Sequence, residues 1–169
     1  MNGMNGTTNP PPLEFNNVDA ILYGFDMDWR YSFDSQWSLD GVINYVRGER
    51  DDTNDNLYRI APLNGIVAVN YDASTWGVSL EGVAYDEQNK VSQTNTEQKT
   101  DGYGLVNLNG YWDFARNTRL GFGVDNIADK KYRDHLGGYN RVRGNTDIDV
   151  GERLPGYGRS LFARIDYQW

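Results

Sequence analysis

The last twelve residues of the chain, 158–169, read GRSLFARIDYQW and decide how the rest of the sequence is interpreted. From Leu161 to Trp169 every second side chain is apolar or aromatic, and polar residues such as Arg164 and Asp166 lie between them. Successive side chains of a β-strand point to opposite faces, so this alternation predicts a strand with one apolar and one polar face.

The same period-2 alternation recurs in six earlier segments. These are residues 20–33, 37–46, 63–71, 76–85, 103–114 and 118–127. Several have the roughly 9–11 residues that a tilted strand needs to cross a bilayer. The sequence therefore predicts an all-β chain of about seven amphipathic strands.

The connections between these segments alternate in length. Short turns are predicted at residues 34–36, 72–75 and 115–117, and long polar loops at residues 47–62, 86–102 and 129–157. Short turns at one end and long loops at the other are typical of antiparallel transmembrane β-barrels, whose turns are periplasmic and whose loops lie outside the cell.

Aromatic residues favour a membrane barrel over a soluble β-sandwich, which would also alternate. On the apolar faces, near the short turns, lie Tyr31, Phe33, Trp37, Tyr71, Trp76, Trp112, Phe114, Phe122, Tyr167 and Trp169. A row of rings at one level is expected of an interfacial girdle, whereas a sandwich has no reason to align them. The mean hydropathy of -0.71 is compatible with a barrel, because only every second residue faces lipid.

Composition excludes several other classes. The 169 residues carry a net charge of -8, no Cys and one His. Disulfides, cysteine-based zinc sites and His-rich metal sites are therefore impossible, and nucleic acid is not expected as a partner. No apolar run approaches the roughly 20 residues of a transmembrane helix. Residues 1–12 lack the basic and apolar regions of a secretory signal.

An odd number of strands predicts that the sequence is part of a longer barrel, because bacterial single-chain barrels usually have an even number. Residues 13–17 could supply an eighth strand. The alternative is then a self-contained small outer-membrane barrel with a structural or adhesion role, closed by pairing of residues 13–17 with residues 158–169.

Three segments carry a resemblance to a known family. Residues 123–132, GVDNIADKKY, followed by Arg133, Asp134 and His135, resemble the penultimate-strand signature of TonB-dependent outer-membrane receptors, with Ile127 and Ala128 in place of the usual Leu-Phe. Residues 154–159, LPGYGR, and the strand ending at Trp169 are similar to that family's last strand. Residues 17–20 with residues 23–25 resemble a strand that follows an outer loop.

The resemblance implies the last seven strands of a 22-stranded barrel in the outer membrane of a Gram-negative bacterium. Residues 1–18 would then be the remnant of an extracellular loop, and residues 19–169 the C-terminal part of the barrel. The implied function is uptake of ferric siderophores or a similar metal chelate, with outer-membrane lipid and the barrel-assembly machinery as partners. The TonB complex would act only through an N-terminal plug and TonB box, neither of which the sequence contains.

Candidate ligand-binding residues lie in the last long loop. Arg141, Arg143 and Arg153, together with Tyr139, could make charge-assisted contacts to an anionic chelate. The alternative is a solvated loop of mixed charge.

The resemblance further implies that Gly158, Ile165, Tyr167 and Trp169 form the signal read by the barrel-assembly machinery. The alternative is that the rings are girdle anchors, and the two roles are compatible.

Other charged residues are interpreted as structural. His135 is expected to pack within its loop rather than bind metal or haem, because no second His exists. Residues 49–56 are interpreted as a solvated acidic loop, because they lack the glycine and the spaced Glu of a calcium loop. No nucleophile elbow, phosphate loop or catalytic triad is present, so neither catalysis nor a cofactor is expected.

Overall fold

The computed structural model describes residues 17–144 and 147–169, which form one antiparallel sheet. Each strand pairs with the next one along the chain, so the sheet is a simple meander. Its strands are β1 (Ala20–Ser32), β2 (Trp37–Arg50), β3 (Asn64–Asp72), β4 (Trp76–Tyr85), β5 (Tyr103–Ala115), β6 (Thr118–Asp125) and β7 (Ser160–Tyr167). The predicted seven-stranded, all-β architecture is confirmed.

The strand boundaries agree with the alternation pattern, and β2 differs most. It continues to Arg50, four residues beyond the predicted end at Val46. The reason is tertiary: β1 is still beside it, with Tyr23 opposite Arg47 and Ala20 opposite Arg50. Backbone pairing to the neighbouring strand therefore extends β2 through a segment whose side chains look like a loop.

The two ends of the sheet differ in the length of their connections. At the short-turn end, residues 33–36, 73–75 and 116–117 join neighbouring strands; at the long-loop end, residues 51–63, 86–102 and 126–159 do so. In the first turn the Asp34 carboxylate accepts the backbone N–H groups of Trp37 and Gln36, each at 2.7 Å. These two bonds hold the pKa of Asp34 below its ordinary value.

The two faces of the sheet have opposite chemistry. Large apolar side chains such as Val67, Leu80 and Leu108 are exposed on one face. On the other face polar groups pair across strands, as in the 2.7 Å hydrogen bond from Asn107 Nδ2 to Glu81 Oε1. In the described residues Val91, which lies in a loop, is the one buried hydrophobic residue, and no second sheet covers the apolar face. A soluble β-sandwich needs such a second layer, so this architecture does not favour that alternative.

Aromatic rings gather at the short-turn end, as the sequence predicts. The rings of Trp37 and Tyr71 have centroids 4.9 Å apart, and those of Tyr71 and Trp76 are 5.1 Å apart. Trp112 and Phe114 form a further pair at 5.6 Å. Rings at one level of a barrel wall are suited to the membrane–water interface.

Two glycines let aromatic rings lie flat on neighbouring strands. The indole of Trp29 covers Gly41, and the ring of Phe122 covers Gly110. In both places a Cβ atom would overlap the ring, so any larger residue would push the ring away from the sheet.

The described strands do not close into a barrel, because β1 and β7 each pair on one side only. Apart from Asn17, the residues expected to supply an eighth strand, 13–17, lie outside the described residues, as do residues 1–12. No helix able to cross a membrane is found in residues 17–144 and 147–169.

Candidate functional site

A large cavity lies at the long-loop end of the sheet, between the β4–β5 loop (residues 86–102) and the β6–β7 loop (residues 126–159). This loop cleft has a volume of about 920 Å³. One wall is formed by residues 98–103, and the other by residues 129–133 together with parts of residues 147–158. Its size is within the range of small-ligand sites.

The loop cleft is more basic than the chain around it. Five cationic and four anionic side chains line it, whereas the chain carries 16 cationic and 24 anionic residues. The nine are Lys99, Lys130, Lys131, Arg133, Arg153, Asp101, Asp129, Asp147 and Glu152.

Some of these charges are already engaged inside the loops. Arg133 pairs with Glu152 at 3.3 Å, and the Asp129 carboxylate accepts the backbone N–H of Arg159 at 2.9 Å. Among residues 17–144 and 147–169, the ammonium groups of Lys99, Lys130 and Lys131 take part in no hydrogen bond or ion pair. These three ammonium groups are therefore available to an anionic ligand.

A stack of tyrosines supports the cleft. Ring centroids of Tyr85 and Tyr103 lie 4.9 Å apart, and those of Tyr103 and Tyr132 lie 4.4 Å apart. The Tyr103 hydroxyl donates to Asp134 Oδ2 at 3.1 Å. Tyr132 also covers Gly156, where a Cβ would overlap the ring. These contacts pack Tyr132 between Tyr103 and Gly156.

Asn126 begins the β6–β7 loop and shapes it. Its backbone lies in the left-handed region, with a φ of 49°, which Asn tolerates better than most residues. Its side chain is buried: Nδ2 donates to the carbonyls of Lys130 at 2.9 Å and Tyr157 at 3.2 Å, and Oδ1 accepts the Lys130 N–H at 2.8 Å. One amide thus joins the start of the loop to its end.

Glu97 connects all three long loops. Its Oε1 accepts the Arg59 backbone N–H at 2.9 Å, from the β2–β3 loop (residues 51–63). Its Oε2 accepts the Ser92 N–H at 3.0 Å, within the β4–β5 loop. His135 Nε2, in the β6–β7 loop, lies 3.2 Å from Oε1. The side chains of Glu97 and His135 are each 1% exposed, so the junction is buried.

Asp55 makes a second link between the β2–β3 and β4–β5 loops. Its carboxylate accepts the backbone N–H groups of Thr94 at 2.9 Å and Gln93 at 2.8 Å, and the Ser92 hydroxyl at 3.1 Å. The bonds from Thr94 and Gln93 hold the pKa of Asp55 well below its ordinary value.

The four residues predicted to bind ligand do not come together as one site. Arg141 and Arg143 are exposed and do not line the loop cleft. Arg153 is 4% exposed, and its guanidinium donates to the Tyr139 hydroxyl at 2.6 Å and to the Gly137 carbonyl at 3.2 Å. Nη1 and Nη2 also donate to carbonyls of Gln98, Asp134 and His135, whereas Nε is buried without a hydrogen-bond partner. Arg153 and Tyr139 therefore hold the loop together.

The sequence reasoning did not single out Lys99, Lys130 or Lys131. Lys130 and Lys131 stand in the segment DKKY, residues 129–132, whose only signal in the sequence is its resemblance to a family signature. Lys99 is distant in sequence, and only the packing of the two loops brings it to the same cleft.

The two segments interpreted as structural make internal contacts. His135 is 3% exposed and packs between loops. In the acidic segment, residues 49–56, Asp52 pairs with Arg50 at 2.6 Å. No group of three or more His, Cys, Asp or Glu residues able to hold a metal is found among residues 17–144 and 147–169.

The residues assigned to the assembly signal lie along or beside β7. Ile165 is opposite Leu120 on β6, and Tyr167 is opposite Thr118. Ile165, Tyr167 and Trp169 are all strongly exposed. Gly158 lies instead in the wall of the loop cleft.

Comparison with known proteins agrees with this architecture. A family model described as "TonB dependent receptor-like, beta-barrel" matches residues 2–127. The chain belongs to the TonB-dependent receptor family. Members of this family are transport receptors of the Gram-negative outer membrane. No curated protein matches the chain.

Solved structures of TonB-dependent receptors share the fold. The copper transporter OprC is 27% identical, with a TM-score of 0.83 over 89% of this chain and 24% of its own. The ferric yersiniabactin uptake receptor FyuA from Yersinia pestis is 16% identical, with a TM-score of 0.65 over 88% of this chain and 23% of its own. A mutant of the ferric enterobactin receptor PfeA from Pseudomonas aeruginosa is also 16% identical, with a TM-score of 0.65 over 88% of this chain and 22% of its own. The chain thus spans about a quarter of the length of these structures.

Proposed function

We propose that the chain forms part of the wall of an outer-membrane receptor that takes up ferric siderophores or a similar metal chelate. In this proposal residues 19–169 are the C-terminal part of the barrel, and residues 1–18 belong to an extracellular loop. The long-loop end faces the medium and the short-turn end faces the periplasm.

The observation that carries the proposal is the loop cleft with its three unengaged ammonium groups. Metal chelates built on carboxylate or catecholate donors are often anionic, and a cationic cleft beside aromatic rings suits them. The chain as a whole has a net charge of -8, which disfavours non-specific binding of anions. The local excess of cations in the loop cleft therefore differs from the rest of the chain.

In the proposed mechanism the loops capture the chelate, which then passes along the polar face of the barrel. Cross-strand pairs such as Arg119 with Asp113, at 2.6 Å, keep that face hydrophilic. Energy would come from the TonB complex of the inner membrane, acting through a plug domain.

The test is binding of radioactive iron(III) complexes to outer membranes of cells that express the complete receptor of which this chain forms part. Replacing Lys130 and Lys131 by Glu is expected to weaken binding of an anionic tris-catecholate complex by about tenfold or more, because each charge-assisted bond contributes roughly 1.5–3 kcal/mol. The matched control is Lys90→Glu, an exposed residue of the β4–β5 loop that does not line the cleft.

Equal binding by the parent, the double variant and Lys90→Glu would contradict the assignment of the cleft. An uncharged hydroxamate complex tests the charge argument separately, because its affinity should change little in the double variant.

Copper is a second candidate substrate, because the structural match with the higher identity and TM-score is described as a copper transporter. Copper prefers nitrogen and sulfur ligands, and the described part of this chain holds no cluster that supplies them. If copper is the substrate, copper(II) uptake should be unaffected by Lys130→Glu and Lys131→Glu, whereas a ferric chelate would show no uptake.

The proposal also assigns Gly158, Ile165, Tyr167 and Trp169 to recognition by the barrel-assembly machinery. The exposed apolar edge of β7 supports this role, because it offers both side chains and unpaired backbone groups to an assembly factor.

A further inference from the structure

The three long loops meet at one buried junction, formed by Glu97, His135 and Arg153. All three residues are less than one-tenth exposed. Glu97 accepts backbone donors from the β2–β3 and β4–β5 loops, and His135 approaches it from the β6–β7 loop. Arg153 donates a hydrogen bond to the backbone carbonyl of His135. Separation at this point would remove the contact that all three loops share, and the Asp55 link would then join only the β2–β3 and β4–β5 loops.

The surroundings of His135 fit a neutral imidazole, whose Nε2 is buried and makes no hydrogen bond of normal geometry. Its Nε2 faces Glu97, a carboxylate that can only accept, while its Nδ1 lies 3.0 Å from the Thr100 hydroxyl. In a neutral ring with its proton on Nε2, that proton faces Glu97. The Nδ1 atom then accepts a hydrogen bond from the Thr100 hydroxyl. A second proton on Nδ1 would require the Thr100 hydroxyl to turn around.

The buried charges also balance only while the ring is neutral. One buried carboxylate, Glu97, and one buried guanidinium, Arg153, are present at the junction. An imidazolium would add a second positive charge beside Arg153, in a place from which water is largely excluded. The nearest anion would be Glu97, at 3.2 Å, so the cost of the second positive charge comes from burial and from Arg153.

Other titratable and charged groups face the junction from each packed loop. Asp134 adjoins His135 and accepts the Tyr103 hydroxyl, and Tyr139 carries the Arg153 guanidinium over its ring at 4.6 Å. From the β2–β3 loop, Arg59 donates to the Leu136 carbonyl. Glu97 and Asp134 favour the imidazolium, whereas Arg153 and burial oppose it.

We propose that the Glu97–His135–Arg153 junction is a proton-sensitive lock that holds the three long loops together around the loop cleft and releases them when His135 is protonated. The proposal depends on the proposed function only in taking the loop cleft as the ligand site. The lock itself is a property of the loops and can be measured without any ligand.

The direction of the pH dependence follows from the position of His135. Burial, the largest cause, lowers the pKa of His135 below its ordinary value. Folding of the junction therefore favours the neutral ring. The lock is intact above the ordinary pKa of about 6.5, weakens as the pH falls below that value, and is fully released below the lowered pKa.

The absence of cysteine from the chain gives a direct assay. Val91→Cys places a thiol at a residue that is 2% exposed in the β4–β5 loop, and Gln93→Cys places one at an exposed site of the same loop. Each variant is labelled with a membrane-impermeant maleimide on whole cells that express the gene. The ratio of the two rates cancels the pH dependence of the thiol chemistry.

Between pH 7.5 and pH 5.5 the ratio of the Val91→Cys rate to the Gln93→Cys rate is expected to rise at least about threefold. In a His135→Gln background, where the side chain does not titrate, the ratio should be the same at both pH values. His135→Asn serves as the second neutral variant if His135→Gln labels rapidly at every pH.

A ratio that stays constant in the parent protein would overturn the lock. A rise in the labelling ratio that persists unchanged in both neutral variants would also overturn it, because titration of carboxylates rather than of His135 would then be responsible. Neither result would bear on chelate binding at the lysines, so failure of the lock and failure of the proposed function can be told apart.

Discussion

At the scale of single residues, the long loops are shaped by buried side chains that bond to backbone groups. Asn126, Arg153 and Asp55 each do so, and the partners come from loop positions distant in sequence. Backbone groups of an irregular loop have no strand partner, so each one that is buried needs a side chain or water. These residues thus replace the hydrogen bonds that a sheet would otherwise supply.

Asn126→Ala tests this role. The change removes three side-chain hydrogen bonds and leaves at positive φ a residue that has a Cβ methyl group but no polar side chain to stabilise this conformation. We expect the free energy of unfolding to fall by about 2–4 kcal/mol, at roughly 1 kcal/mol for each bond plus the backbone strain. Urea unfolding in detergent micelles, followed by tryptophan fluorescence, measures the loss.

Asn126→Asp should lose less, because it keeps the acceptor for the Lys130 N–H and tolerates positive φ. Asn89→Ala, at an exposed loop position, is the matched control and should be close to neutral. A loss in Asn126→Ala no greater than that in Asn89→Ala would show that the amide does not hold the loop.

At the scale of elements, the strands and the loops are stabilised in different ways. The strands are held by an uninterrupted ladder of backbone pairs, and the loops by charge-assisted bonds between neighbouring loops. The β2–β3 and β4–β5 loops in particular depend on Asp55. Their contact should therefore respond to the charge of one carboxylate.

Asp55→Ala is expected to loosen residues 92–97 and leave the strands unchanged. Hydrogen exchange measured by mass spectrometry should be faster in peptides that cover residues 92–97, and the same in β4 and β5. Asp51→Ala, an exposed carboxylate in the same loop, is the control.

In a His135→Gln background, in which the loop junction does not titrate, residues 92–94 should keep this protection at pH 4. The pKa of Asp55 is lowered, so its stabilising contribution persists above the ordinary carboxyl pKa of about 3.9 and is lost only as the pH falls through the lowered value. Loss of protection already at pH 5 in that background would count against the Asp55 link.

At the scale of the whole molecule, the sheet has the features of one part of a larger barrel. Its apolar face is exposed, and both β1 and β7 have one edge without a partner in the described residues. In a bilayer, unpaired N–H and C=O groups are expensive, so strands that cross it must close into a barrel. Seven strands in an open meander do not meet that condition alone.

The chain produced by itself is therefore expected not to give a closed receptor barrel. Refolded in detergent, it should migrate identically on gels with and without boiling, and it should not restore chelate uptake to a strain that lacks the receptor. A heat-modifiable band would instead favour the self-contained small barrel, with residues 13–17 completing it.

The sequence by itself determined the strands, the two faces and the aromatic girdle. These depend on period-2 alternation, and alternation follows from the geometry of a single strand. It also determined the family, through residues 123–132 and 154–159. The sequence did not predict the end of β2, because residues 47–50 are in a strand only through their pairing with β1.

Only the tertiary structure decided which loop residues meet. Arg153 was expected at a ligand and is buried against Tyr139, whereas Lys99 joins Lys130 and Lys131 across two loops. Glu97 had no signal at all in the sequence. Loop contacts have no fixed period, because buried backbone groups are satisfied by whichever side chain the folded loops bring within reach, and that depends on residues up to 55 positions apart.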